Sequence, residues 1–128
     1  DRQTPQPKKL KYDKESFEQQ IADITNANSS AIFQKKFDEG DVTISSKGNN
    51  LKSLYKLGLR DKGNKQHNVT VFELRDVKSA SRMFFIQRDD TLYAIGTTNR
   101  HDVDRKNIRE SAANMLGEIL EKQQQHAI

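Results

Sequence analysis

Apolar residues recur at helical spacing near both ends of the chain and at a period of two between them. Phe17, Ile21 and Ile24 predict a helix over about residues 16–27. Ser16-Phe17-Glu18-Gln19 fits a capping box there, with Ser16 capping the backbone and Gln19 reaching back. The Asn/Ser cluster at 26–30 interrupts this helix. Ser30 can start a second, short one that carries Ile32, Phe33 and Phe37 and stops at Gly40. Val42 and Ile44 then alternate with Thr43 and Ser45, the pattern of a short strand ending in the Gly48-Asn49-Asn50 turn. Leu51, Leu54, Tyr55 and Leu57 fit a helix or a strand, and the spacing does not decide between them. Residues 61–68 have the composition of a loop.

Three further strands are predicted over 69–74, 82–87 and 91–95, rich in β-branched and aromatic residues. Asp89-Asp90 is the hairpin turn between the last two. Asp102 or Asp104 caps a closing helix whose apolar residues Ile108, Ala112, Met115, Leu116, Ile119 and Leu120 fall on one face. The expected fold is therefore α+β. It has an antiparallel twisted sheet of about four strands, two N-terminal helices and one long C-terminal helix, with helices covering one face of the sheet. Residues 1–12 hold both prolines with Lys8, Lys9 and Lys11 and read as a flexible basic arm. Residues 13–120 form a single domain, and 121–128 a polar tail.

With 128 residues, 33% hydrophobic and 31% charged, the chain supports one small core under a heavily charged surface. The absence of cysteine excludes disulfides, thiolate metal sites and a cysteine nucleophile. No apolar run approaches the roughly 20 residues of a membrane span, and no leader is visible. The start at Asp1 fits a piece cut from something longer. Net charge is +4, and its placement matters more than its size. Residues 51–109 hold 13 of the 22 Lys and Arg but only 7 of the 18 Asp and Glu, so polyanions are the natural partners of that stretch.

The chain lacks a Gly-rich phosphate loop, a metal-binding histidine pair at i and i+4, and a Gly-x-Ser-x-Gly elbow. What stands out is a set of cations at predicted strand ends. Arg75 closes one strand, Arg82 opens the next, and Arg100-His101 follows the third. If the strands pair in sequence order, all four reach one rim of the sheet. Such a rim has the groups that metal-independent RNA cleavage by the 2′-hydroxyl needs. Arginines can hold the phosphorane, and an imidazole can exchange protons near neutrality. Arg82→Ala is expected to remove cleavage and leave the fold intact. Lys52, Lys56, Arg60, Lys62 and Lys65 supply phosphate affinity, and Tyr93 or Tyr55 can stack on a base. Phe72, Phe84 and Phe85 read as core. No cofactor is expected.

Phe72-Glu73-Leu74-Arg75, Ser81-Arg82-Met83-Phe84-Phe85-Ile86, Leu92-Tyr93-Ala94-Ile95-Gly96 and Arg100-His101-Asp102-Val103 together resemble the C-terminal half of RelE/ParE-superfamily toxins. The resemblance covers about residues 51–107. It implies a twisted antiparallel sheet with two N-terminal helices, and either mRNA cleavage on the ribosome or inhibition of gyrase. By position, Arg75, Arg82 and the Arg100–His101 pair match the family's basic residues, with two extra residues before Arg100. Asp104 stands where the family often has Tyr. The resemblance further implies RNA or the ribosome as target, an acidic antitoxin or immunity protein as partner, and a cytoplasmic site of action. The toxin tip of a secreted effector is a related reading. A nucleic-acid-binding module that does no chemistry remains the alternative.

Overall fold

The computed structural model describes residues 10–39, 51–99 and 104–126, with side chains as far as residue 123. The elements are β1 (Lys11–Tyr12), α1 (Lys14–Ile21), α2 (Ala27–Glu39), β2 (Leu51–Arg60), β3 (Gln66–Arg75), β4 (Arg82–Arg88), β5 (Thr91–Thr98) and α3 (Arg105–His126). The strand order is β1-β5-β4-β3-β2. β2 to β5 form an antiparallel meander, and β1 joins parallel to β5 through Lys11↔Thr91 and Tyr12↔Leu92.

The α+β class, the mostly antiparallel sheet, the two N-terminal helices and the long closing helix all stand as expected from the sequence, with five strands among the described residues where about four were expected. One of them comes from residues assigned to the arm: Lys11 and Tyr12 enter the sheet and Leu10 is buried. The undecided segment at 51–60 is a strand. The closing helix continues through most of the polar tail, to His126. The strand predicted around Val42 to Ser45, with its turn, lies outside the described residues.

The first two helix starts differ from the sequence reading by one capping choice each, whereas α3 is capped by Asp104, one of the two residues expected. Asp13, not Ser16, caps α1, accepting from the Ser16 backbone N–H at 3.0 Å. Ser16 is buried instead. Its hydroxyl accepts from the Ala94 N–H at 3.0 Å, which ties α1 to β5. Asn26 accepts from the Ser29 N–H at 3.0 Å and so starts α2 ahead of Ser30.

Helices cover both faces of the sheet, which corrects the one-face expectation. The cause is strand alternation: successive side chains point to opposite sides. Phe72, Leu74, Met83, Phe85, Leu92 and Ala94 pack with Phe17 of α1 and Phe33 of α2. On the other side, Val69, Val71, Phe84, Ile86 and Ile95 pack with Ile108, Ala112, Leu116 and Ile119 of α3. The adjacent phenylalanines 84 and 85 thus serve different cores. Both are buried, as expected.

Two bulges shape the end of the sheet where β3 finishes and β4 begins. In β2, Ser53 pairs with Phe72 and Tyr55 with Val71, so Leu54 is an extra residue. In β5, Ala94 pairs with Phe85 and Gly96 with Phe84, so Ile95 is extra. The β3–β4 connection is fixed to α2 by a buried polar cluster. Asp76 accepts from the Ser29 hydroxyl at 2.7 Å, and the Ser29 and Ser79 hydroxyls share a second hydrogen bond at 2.7 Å. Asn99 performs a similar task beyond β5. Its side chain accepts from Thr25 N–H and donates to the Asp23 carbonyl, both at 3.0 Å.

Candidate functional site

Sequence-order pairing of β3, β4 and β5 brings the predicted strand-end residues into one row. Arg75 is the register partner of Arg82, and Arg82 of Thr98. Register partners point to the same side of a sheet with Cα atoms about 4.5–5.5 Å apart. This row projects on the α3 side, because two positions along each strand, on the same face, Glu73 pairs with Phe84, and Phe84 belongs to the α3 core. Lys52 is the β2 partner of Glu73 and shares that side. Among the described residues, the rim thus holds three cations, Lys52, Arg75 and Arg82, around the Glu73 carboxylate. Arg100 and His101 lie outside the described residues.

Glu73 is the residue that the sequence reading missed. Its carboxylate accepts from Arg82 Nη1 at 3.2 Å, and the side chains are 3% and 14% exposed. Removal of water from a charge pair is costly and is offset only by close partnering. The pair therefore fixes the Arg82 side chain in place. Arg75 and Lys52 make no hydrogen bond or ion pair among the described residues, so their charges are available to an anion. A signal for Glu73 was present in the alternation: Val69, Val71 and Glu73 share one face, and that face is inward.

The other predicted phosphate contacts divide. The bulge at Leu54 shifts the phase of β2, so Lys56 and Arg60 pair with Thr70 and Gln66 and face the side opposite Lys52. Lys62 and Lys65 occupy the β2–β3 turn, on the order of 25–30 Å from Lys52 at about 3.3 Å per residue. All five of these cations are exposed. Tyr93 lies apart from the rim, five positions before Thr98 on β5. It lines a cavity of about 280 Å³ with Asp13, Glu15, Gln19 and Glu118. Burial pushes its hydroxyl pKa up, and Asp13 and Asp89 add to the rise. That surrounding is acidic and does not suit a phosphate backbone. Tyr55 is covered by Arg105, whose guanidinium carbon sits 4.8 Å from the ring centre.

The β2–β3 turn has its own polar lock. His67 Nε2 and Asp61 Oδ2 are 2.9 Å apart, and Asp61 Oδ1 accepts from the Lys65 N–H at 2.9 Å. The His67 contact, with the Lys65 N–H next, holds the Asp61 carboxyl below its ordinary value. A depressed folded-state value means that the ionised Asp61 favours the folded turn. That contribution is complete above about pH 4 and is lost as pH falls through the depressed value. Amide shifts of Asn64 and Lys65 should accordingly move on acidification below about pH 4, and Asp61→Asn should abolish that step. A turn insensitive to acid in the native chain would mean that the contact is not made in solution.

Among the described residues, no three His, Asp or Glu side chains gather where they could hold a metal ion. No described helix is long and apolar enough to cross a membrane. Comparison with protein-family models, curated proteins and solved structures gives no match.

Proposed function

We propose that this domain is an RNA-directed toxin of the RelE-like kind that cuts RNA without a metal by attack of the 2′-hydroxyl. The observation that carries the reading is the register row Arg75, Arg82, Thr98 with Lys52 beside it, all on one face at one end of the sheet. Arg75 and Lys52 take the scissile phosphate, and Arg82 is the cation that Glu73 positions beside them. Proton exchange falls to His101, two residues past Asn99, with Arg100 next to it. Lys62 and Lys65 add a remote, salt-sensitive grip on the backbone. The target is mRNA, tRNA or the ribosome in the cytoplasm, and an acidic antitoxin or immunity protein is the partner that blocks the rim.

Incubation of the chain with RNA in excess EDTA is expected to give fragments ending in 2′,3′-cyclic phosphate. Arg75→Ala should slow cleavage on the order of 100-fold while leaving the fold intact. RNA that stays whole, with and without ribosomes, removes the catalytic reading.

A second reading, binding without cleavage, is favoured by the ion pair that already engages Arg82 with Glu73 inside the sheet. Under it, RNA is retained intact. In both readings, replacing Lys62 and Lys65 by alanine should flatten the log–log salt dependence of binding by about 0.7 per lost contact.

A further inference from the structure

The rim has a cavity beside it. About 260 Å³ of space is lined by Phe84, Ile95, Gly96, Thr97, Thr98, Asp104, Asn107, Ile108 and Ser111. We propose that it is a subsite for a single nucleobase carrying an exocyclic amino group. The proposal rests on the RNA-directed reading of the rim.

Position comes first. Thr98 is the register partner of Arg82, so the cavity begins one strand away from the cations. The bulge at Ile95 creates it, since both Ile95 and Gly96 then meet the α3 side where one residue would normally stand. Gly96 keeps it open: a Cβ built there meets nothing within 4 Å.

Size and chemistry narrow the occupant. The volume falls just below the roughly 300 Å³ at which small-molecule sites begin, which suits one heterocycle and not a whole nucleotide. Phe84, Ile95 and Ile108 give an apolar floor, and Ser111 of α3 adds a hydroxyl-bearing side chain to the lining. Thr97 faces the other side of the sheet with its partner Met83 and borders the cavity through its backbone. Charge separates base from phosphate. The cations lie on the rim, whereas the cavity carries the Asp104 carboxylate, which repels a second phosphate. Asp104 accepts from the Asn107 backbone N–H at 3.2 Å and from its side-chain amide at 2.9 Å. That leaves the Asn107 carbonyl oxygen and the Asp104 lone pairs not used by Asn107 as acceptors. Acceptors at the mouth favour the amino group of adenine, cytosine or guanine over uracil, whose edge there is a carbonyl.

The test is an amide-resolved NMR titration of the full chain with AMP, CMP, UMP and inorganic phosphate. AMP and CMP should shift Gly96, Thr97, Asn107 and Ser111, UMP should do so far less, and phosphate should move only residues around Arg75 and Lys52. Gly96→Val fills the open space and should weaken AMP binding about tenfold or more, with phosphate binding unchanged. Ser111→Leu closes the cavity from the helix side and provides the same test if the valine variant misfolds. AMP that shifts only the residues phosphate shifts, or that binds both variants as tightly as the parent, overturns the base subsite and leaves the rim standing. If neither phosphate nor any nucleotide perturbs the rim, the RNA reading falls and takes the subsite with it.

Discussion

Arg82→Ala is expected to cost about 3–5 kcal/mol of folding stability, because it strands the Glu73 carboxylate inside the sheet without its partner. Glu73 is 3% exposed, so water cannot replace the guanidinium. Urea unfolding of the variant against the parent measures the loss directly. The double variant Glu73→Leu/Arg82→Met removes both charges and keeps apolar volume, so it should be neutral or more stable by about 1–4 kcal/mol. A single-variant loss under about 1 kcal/mol would mean that the pair is solvated in solution. The buried pair thus predicts a stability cost that the sequence reading of Arg82→Ala did not include. Lost cleavage in Arg82→Ala would not separate chemistry from unfolding, which is why Arg75→Ala is the cleaner functional probe.

Phe17→Ala is expected to cost a similar amount, about 3–5 kcal/mol. Phe17 is fully buried and belongs to an aromatic group, centred on Tyr12, that joins four elements. It stacks on Phe37 of α2 with ring centres 4.3 Å apart and planes 13° off parallel. Tyr12 of β1 lies 5.9 Å from Phe17 and 5.5 Å from Phe85 of β4. Truncation therefore opens a cavity that backbone movement cannot close without parting α1 from the sheet. Phe17→Leu keeps most of the volume and should lose less than about 1.5 kcal/mol. Urea midpoints for the two variants should differ accordingly. Equal midpoints would show that the aromatic group is loosely packed.

The closing helix could be read from the sequence because Ile108, Ala112, Leu116 and Ile119 keep one face over three turns and the core confirms that face. The strands from 69 to 98 were readable for the complementary reason, a sustained run of β-branched and aromatic residues. β2 was ambiguous because the extra residue at Leu54 breaks the period of two, so its apolar spacing matches neither template. β1 was missed because two residues carry no period. Its place is set by parallel pairing to a strand some 80 positions away.

The strand-end cations could be placed because a meander dictates which ends meet. The division of Lys52 from Lys56 and Arg60 could not, since it depends on the same bulge. Glu73 was overlooked because glutamate in a strand is usually read as facing water. Only the neighbouring valines, Val69 and Val71, place it on the inner face.

Leu54 also ties the two sides of the sheet to each other. Without the phase change there, the odd-numbered leucines of β2 would all point one way. With it, Leu51 enters the layer beneath α1 and α2, while Leu57 and Leu59 enter the layer beneath α3. A single outer strand thus stitches both layers together, and slippage by one residue at either end would pull a leucine out of one of them.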